Sequence, residues 1–288
     1  MKDRPSARRP LIGRVALVTG GGRGLGRAHS RELARLGASV VVVDTGVALD
    51  GTAPDASVAT STVDEICADG GRAVADHADM RTFAGAQAAV ASAVECFGRL
   101  DIVVNNAGTL HGAPLEELTE ADLRAELDIH AVATVAVLQA AFPVMRAQRY
   151  GRVLNTISEA SLHRHMADSI AYSTAKAAVW GATMAAAAAG EPDGITVNAL
   201  SPGAYTRMSK RYLDVQGIPA GLDLSPKRVA EVAAGLCTEA AGGINGRILH
   251  TAGGHIREFR LGRFDDTDLV QWLRRYVDRH VVGAPTNE

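Results

Sequence analysis

A tyrosine and a lysine stand four positions apart in the stretch YSTAK, as Tyr172 and Lys176, and such a pair could exchange a proton. In a helix, residues at this spacing project from the same face about one turn apart. A phenol with a pKa of about 10 is a poor base at neutral pH, but a neighbouring cation stabilises the phenolate. We therefore expect Lys176 to lower the pKa of Tyr172 far enough for it to act as a general acid or base.

A serine hydroxyl could fix a substrate oxygen beside that phenol. Ser158 stands 14 residues before Tyr172, at the end of a predicted strand, and is the first candidate. Ser161, three residues further on, is the second. A tyrosine and a lysine at this spacing also occur by chance as a surface pair, so the hypothesis depends on the serine being close to them.

A glycine-rich stretch, TGGGRGLGRA, follows the apolar run Val15–Val18 and has five glycines between Gly20 and Gly26. The helical pattern begins near Leu25, which makes the stretch a turn between a strand and a helix. Free backbone N–H groups and the positive end of the helix dipole meet at such a turn and suit a pyrophosphate. The glycines would let that ligand approach the backbone.

An acid in the right place strengthens this interpretation. Asp44 ends the next predicted strand, 20 residues beyond Gly24, where a carboxylate can accept hydrogen bonds from an adenosine ribose. The general G-x-G-x-x-G fingerprint is not met, because Arg27 follows Gly22 and Gly24 in place of the third glycine. The pattern thus predicts a dinucleotide site, with a plain tight turn as the alternative.

Short apolar runs alternate with longer stretches of helical period along the chain. Strands are predicted at Val15–Val18, Ser39–Asp44, Arg72–His77, Asp101–Asn105, Gly151–Ser158, Ile195–Leu200 and Ile248–Thr251. Helices are predicted at Gly26–Leu36, Ser61–Asp69, Thr82–Phe97, Glu120–Arg149, Ala171–Ala189 and Pro226–Ala240. Apolar strands that alternate with helices predict an α/β fold, a single doubly wound domain whose mostly parallel sheet has helices on both faces.

The domain limits follow from the same pattern. We predict a flexible leader over 1–10, the catalytic domain over 11–262 and a C-terminal helical extension over 263–288. The leader is rich in arginine without an apolar segment, and no stretch has about 18 uninterrupted apolar residues, so we expect no membrane partner and a cytoplasmic location.

Composition excludes other classes of function. The formal net charge is −2, without the basic excess of a nucleic-acid binder. The three cysteines, Cys67, Cys96 and Cys237, are widely spaced, which argues against a disulfide framework and against a zinc site. We expect them to be small buried residues and expect no metal.

These motifs, in order, resemble the classical short-chain dehydrogenase/reductase family over roughly residues 11–256. The family's T-G-x-x-x-G-x-G turn matches Thr19, Gly20, Gly24 and Gly26; its N-N-A-G element matches Asn105–Gly108; its Y-x-x-x-K matches Tyr172 and Lys176. The resemblance implies a Rossmann fold, a nicotinamide cofactor, and hydride transfer between that cofactor and a carbon bearing a hydroxyl or carbonyl.

The resemblance also implies which residues surround the cofactor. Asp79 and Met80 would flank the adenine, Asn106, Ala107 and Gly108 would pass beneath the adenosine ribose, and Pro202, Gly203 and Thr206 would border the nicotinamide. Lys176 would hold the nicotinamide ribose as well as lower the pKa of Tyr172. The full predicted cofactor set is Gly20, Arg23, Gly24, Leu25, Gly26, Asp44, Asp79, Met80, Asn106, Ala107, Gly108, Tyr172, Lys176, Pro202, Gly203 and Thr206.

Two positions depart from the family pattern. His130, in DIHAV, stands where the family usually has an asparagine of the proton relay. A histidine there, and the long loop after Asp44, also occur in the hydroxyacyl-CoA dehydrogenase part of peroxisomal multifunctional enzymes. His130 either relays a proton or is a core residue with satisfied hydrogen bonds. The second departure is the spacing of 14 residues between Ser158 and Tyr172, where 13 is commoner.

Together, the motifs and the resemblance predict an NAD-dependent oxidoreductase acting on a secondary alcohol or its ketone. Asp44 favours NAD, while Arg23 in the glycine turn is a base that could meet the 2′-phosphate of NADP. The segment from Ala204 to Leu224 is expected to cover the substrate pocket and contains the apolar or aromatic residues Tyr205, Met208, Tyr212, Leu213 and Ile218. These side chains either contact an apolar substrate or only pack the covering segment against the domain. The alternatives are an NADPH-dependent 3-oxoacyl ketoreductase and a non-catalytic dinucleotide sensor. By resemblance, we expect a homodimer or homotetramer.

The C-terminal extension gives one prediction of its own. Apolar residues recur at helical spacing opposite charged ones between Asp266 and His280, at Leu269, Trp272, Leu273, Tyr276, Val277 and His280. We predict that this stripe packs on the domain's own core or on a neighbouring subunit. Truncation after Gly262 should then lower the melting temperature or change the solution mass, and a truncated protein unaltered in both would refute the prediction.

Overall fold

Eight strands form one sheet in the computed structural model, which describes residues 9–48, 52–162, 168–218 and 221–260. The strands are β1 (Val15–Thr19), β2 (Ser39–Val43), β3 (Arg72–Asp76), β4 (Ile102–Asn105), β5 (Gly151–Thr156), β6 (Ile195–Gly203), β7 (Ile248–Ala252) and β8 (His255–Phe259). The helices are α1 (Gly24–Arg35), α2 (Ser57–Ala68), α3 (Phe83–Phe97), α4 (Glu120–Glu126), α5 (Ala133–Gln148), α6 (Ile170–Gly190), α7 (Lys210–Gln216) and α8 (Pro226–Leu236).

The strand order places a ligand crevice at one edge of the sheet. It runs β3-β2-β1-β4-β5-β6-β7-β8, with every neighbouring pair parallel except β7 and β8. The chain therefore leaves β1 toward β2 on one side and reaches β4 on the other. In such a sheet, ligands bind outside the carboxyl ends of the strands where the order reverses.

Both faces of the sheet are covered, because alternate residues of each buried strand point to opposite faces. Leu17 of β1 belongs to the apolar cluster that includes α3 and α5. Its neighbours Ala16 and Val18 belong to the cluster that includes α1, α2 and α8. The predicted doubly wound domain, with helices on both faces of a mostly parallel sheet, is confirmed.

Three elements differ from the sequence-based prediction, and one of them is the short helix α7, which was not predicted. The stretch predicted as one helix over Glu120–Arg149 is divided into α4, a π-helical segment at Leu127–Val132, and α5. The antiparallel strand β8 was not predicted; it pairs with β7 after the turn at Gly253 and Gly254.

The helical run Glu120–Gln148 is long enough to cross a membrane and contains an 18-residue window with a mean hydropathy of 1.6. Length and composition alone are weak grounds for a span, since core helices meet the same criteria. Its buried residues Ala136, Val137 and Ala141 lie in the cluster shared with α3. In this fold the run is a core helix of the domain.

The cysteines correct another expectation. Cys237 is buried, but Cys67 and Cys96 are exposed, so only one of the three is a small core residue. Both exposed cysteines lie near the C-terminal ends of surface helices, α2 and α3. Most of the predicted leader and all of the C-terminal extension, including the stripe from Leu269 to His280, lie outside the described residues.

Candidate active site

The glycine turn between β1 and α1 is built for close backbone approach. Gly20 and Gly24 have φ of 60° and 50°, in the left-handed region that favours glycine. A Cβ on Gly26 would collide with the carbonyl oxygen of Gly20. Because α1 begins at Gly24, its first free N–H groups face the carboxyl edge of the sheet, as a pyrophosphate site requires.

The end of β4 is fastened to this turn. The hydroxyl of Thr19 accepts hydrogen bonds from the backbone N–H groups of Asn106 and Ala107, each at 3.0 Å. The Asn106 amide donates to the carbonyl oxygen of Gly20 at 3.2 Å. The two predicted cofactor segments, the glycine turn and the N-N-A-G element, therefore lie side by side.

The Asp44 carboxylate lies at the end of β2 beside the glycine turn. One oxygen accepts from the N–H of Gly22 at 2.9 Å, and the other accepts from the N–H of Gly46 at 2.7 Å. Arg23 donates to the carbonyl oxygens of Gly46 and Val47, at 3.1 and 3.2 Å. The guanidinium thus braces the loop that follows Asp44.

The other predicted cofactor residues surround the same edge. Thr206 lies over the turn, where a Cβ added to Gly24 would be 3.8 Å from the Thr206 Cβ. Pro202 and Gly203 end β6, Met80 is buried, and Leu25 is half-buried at the start of α1. Asp79 is paired with Arg81, with nitrogen and oxygen 2.7 Å apart.

Tyr172 and Lys176 lie in the first turns of α6, and both side chains are buried. The Ser158 hydroxyl is in polar contact with the phenol and favours the phenolate. Lys176 donates from Nζ to the carbonyl oxygen of Thr156 at 2.8 Å. Ser161 donates to the carbonyl oxygen of Ser158 at 2.7 Å, so it supports the loop and Ser158 is the serine beside the phenol.

The proton affinities of this pair differ from the sequence-based expectation. Burial raises the pKa of Tyr172 to about 12, although the contact with Ser158 opposes the rise. Burial also lowers the pKa of Lys176 to about 7. The expected lowering of the Tyr172 pKa by Lys176 is wrong for the protein alone, because desolvation is the larger effect.

His130 lies in the π-helical segment, against the catalytic pair. Its ring meets the Tyr172 ring edge-on, with centroids 5.3 Å apart. A Cβ on Gly108 would collide with the imidazole, so the glycine of the N-N-A-G element makes room for it. His130 is thus brought to the site and is hydrogen-bonded, through Nε2, to the carbonyl oxygen of Thr109 at 2.9 Å.

Two ionisable residues next to this site, Glu126 and His111, were not predicted from the sequence. Glu126 ends α4, is fully buried, and has a carboxylate oxygen 3.1 Å from Nε2 of His130. Glu126 precedes His130 by four positions on a predicted helix, and this spacing places both side chains on the same face. The spacing was the sequence signal that could have identified Glu126. The second partner of its carboxylate, His111, comes from the loop after β4.

Comparison with known proteins agrees with this arrangement. The family model described as short chain dehydrogenase matches residues 14–214. The chain belongs to the short chain dehydrogenase family. It is therefore an oxidoreductase whose family uses a nicotinamide cofactor, NAD or NADP.

Proteins with related sequences come from animals, fungi and bacteria. A peroxisomal multifunctional enzyme type 2 of Drosophila melanogaster is 36% identical over 253 residues, 87% of this chain and 41% of that protein. The chain thus spans less than half of that relative. A hydroxyacyl-CoA dehydrogenase of Mycobacterium tuberculosis is 34% identical over 92% of this chain and 89% of that protein. The crystal structure of a short chain dehydrogenase from Mycobacterium avium has a TM-score of 0.79 and 34% identity, covering 96% of this chain and 97% of that one.

Proposed function

We propose that this short chain dehydrogenase is an NAD-dependent enzyme that oxidises the secondary hydroxyl of a hydroxyacyl thioester, or reduces the matching ketone. The observation that carries the proposal is the buried pair on α6, Tyr172 with Nζ of Lys176 5.6 Å from its ring centroid, together with Ser158, whose hydroxyl favours the phenolate. A dinucleotide-sensing protein has no use for a buried phenol in contact with a hydroxyl, so this arrangement favours the enzyme over the sensor.

The residues present fit a dinucleotide. The cradle around Gly20 and Gly26 has no room for a Cβ, and the Asp44 carboxylate is held at the end of β2. Bound there, the nicotinamide would supply the hydride acceptor or donor. Asp44 would accept from the ribose hydroxyls, while Lys176 would hold the second ribose.

The side chains of this chain would handle the oxygen and its proton. Ser158 would donate to the substrate oxygen and orient it, and Tyr172 would exchange the hydroxyl proton. At neutral pH, a phenol with a pKa of about 12 is protonated, so Tyr172 is ready to donate in the reductive direction. Oxidation requires its pKa to fall, and the cation of Lys176 on the same face of α6 favours that.

The substrate class rests on relatives and on the segment after β6. The alignment with the bacterial relative named a hydroxyacyl-CoA dehydrogenase covers 89% of that relative. Tyr205, Tyr212 and Ile218 are large apolar or aromatic residues exposed near the carboxyl edge of the sheet. An acyl chain could cover them, which favours an apolar acyl group over a small polar alcohol. A homodimer or homotetramer and a cytoplasmic location stay predictions.

Steady-state kinetics with a substrate panel tests the proposal. The panel compares 3-hydroxyacyl-CoA thioesters of several chain lengths with the matching free acids and with steroid, terpene and alicyclic alcohols, by NADH absorbance. We expect the highest kcat/KM for a thioester. A higher kcat/KM for another alcohol would overturn the substrate class, and no turnover of any of them with NAD or NADP would overturn the enzymatic proposal.

A further inference from the structure

A buried carboxylate next to the candidate active site has two histidines as partners. Oε1 of Glu126 accepts from the backbone N–H of His111 at 3.0 Å and lies 2.8 Å from Nδ1 of the His111 ring. It also accepts from the hydroxyl of Thr109 at 3.0 Å. Oε2 lies 3.1 Å from Nε2 of His130. The carboxylate therefore joins a half-buried histidine to a fully buried one.

The contacts of His130 determine its tautomer. Nε2 is 2.9 Å from the carbonyl oxygen of Thr109 and 3.1 Å from Oε2 of Glu126. Both groups can only accept, so Nε2 has the hydrogen and donates it to Thr109. Oε2 of Glu126 is a buried acceptor without a hydrogen bond from the described residues. In the neutral ring, Nδ1 is then an acceptor. It is buried, and none of the described residues hydrogen-bonds it. An acceptor nitrogen without a hydrogen bond from the described residues is thus part of a ring whose centroid lies 5.3 Å from that of Tyr172.

The charged groups around His130 favour an imidazole that passes a proton on and does not keep it. The groups that face it are Glu126 at the end of α4 and Tyr172 and Lys176 on α6. Burial, then the charge of Lys176, lowers the pKa of His130 to about 4. Burial would raise the pKa of Glu126, but the contacts with His130 and His111 outweigh it and lower the pKa to about 2. At neutral pH the pair is a neutral imidazole and a carboxylate.

We propose that Glu126 is a positioning residue that, with His111, completes a buried proton path from Tyr172 through His130 to the surface. The proposal rests on the oxidoreductase function above, since alcohol oxidation leaves one proton on Tyr172 in each turnover. His111 is the outer end of the path, because 32% of its side chain is exposed while Glu126 and His130 are buried.

Each step of the path moves one proton and no electrons. The proton from Tyr172 passes to Nδ1 of His130, directly or through one bound water molecule, and the hydrogen on Nε2 leaves for Oε2 of Glu126, 3.1 Å away. Once the carboxyl group has turned so that this hydrogen faces His111, Glu126 protonates Nδ1 of His111 when that ring has its hydrogen on Nε2, and His111 releases a proton from Nε2 to water. The return of each ring to its first tautomer completes the cycle.

A purely structural role is the competing explanation. Glu126 could only fasten the loop 109–111, through Thr109 and the backbone of His111, over the site. Such a role would not depend on whether the ring of His111 takes up protons. The experiments therefore compare groups of equal shape that differ in proton uptake.

The first experiment removes the outer end of the path. In weak buffer, His111→Ala should lower kcat about tenfold with the KM for NAD unchanged, and added imidazole should restore it. Pyrazole, a ring of the same size that stays unprotonated at neutral pH, should not restore kcat. His255→Ala, a change of an exposed histidine on β8, is the matched control and should match the wild type. Wild-type kcat in His111→Ala, rescue by both rings, or rescue by neither would overturn the path.

The second experiment needs no turnover and uses nitrogen NMR of labelled histidines in the cofactor-free protein. The wild type should show His130 as the Nε2–H tautomer, and Glu126→Gln should move its titration to lower pH, because Glu126 raises the pKa of His130. Glu120→Gln, an exposed change on the same helix, is the control. An unmoved titration in Glu126→Gln would overturn the proposal. If the wild type turns over no substrate, the proposed function fails on that result alone.

Discussion

Replacing Tyr172 with phenylalanine is expected to lower kcat by about 10²–10⁴-fold, the range typical of losing a general acid or base. The change removes only the phenolic oxygen and keeps the buried ring against His130. The affinity for the dinucleotide should change little, because the glycine turn and Asp44 are separate from the phenol. Steady-state kinetics with NAD and the best alcohol of the panel, together with direct binding of NADH, measures both quantities.

Tyr150→Phe is the matched control for this prediction. Tyr150 is half-buried and precedes β5 at the opposite edge of the sheet, with its ring under the guanidinium of Arg14 at 3.6 Å. Its hydroxyl is 3.5 Å from a carbonyl oxygen, so little is lost with it. The control should keep wild-type kcat. Near-wild-type turnover in Tyr172→Phe would show that another group exchanges the proton.

The fold was predictable where one residue pattern decided the structure. The continuous valines of β2 and the glycine turn after β1 are local signals, and the structure has both. The π-helical segment is different, because its widened turn brings His130 against α6. Sequence periodicity contains no such tertiary contact, and π-helical turns are often found at functional sites.

The missed strand β8 had a local signal. Gly253 and Gly254, with φ of 58° and 84°, connect β7 to β8, and two glycines between short runs are a hairpin pattern. The strand itself, HIREF, is exposed over its first half and has little apolar alternation. An edge strand of this kind buries too little for hydrophobic periodicity to identify it.

The candidate site was predictable as a set of residue types but not as a set of charges. The structure brings Ser158 close to Tyr172 and Lys176, the three residues that the sequence named. The pKa of Tyr172 moved in the unexpected direction because burial depends on the whole fold. Glu126 was missed because its other partner, His111, lies 15 residues earlier in a loop, where no periodicity relates the two.

The choice between NAD and NADP depends on two side chains whose contacts favour NAD. The Asp44 carboxylate is fixed by the N–H groups of Gly22 and Gly46. Arg23, the base that could meet a 2′-phosphate, is engaged with the carbonyl oxygens of Gly46 and Val47. It would have to give up both hydrogen bonds to reach a phosphate. Asp44 therefore opposes NADP with its full charge, while Arg23 offsets little of it.

Asp44 should make NAD the preferred cofactor by at least tenfold in kcat/KM, and Asp44→Ser should narrow that ratio. A carboxylate about 4 Å from a phosphate is repelled by roughly 4 kcal/mol per unit charge pair at an effective dielectric near 20, before screening. The serine removes this repulsion and also weakens the hold on the ribose of NAD. Asp69→Ser, at the exposed end of α2, is the control and should leave the ratio unchanged. Steady-state kinetics with both cofactors decides the matter, and equal or better use of NADP by the unmodified protein would contradict the assignment.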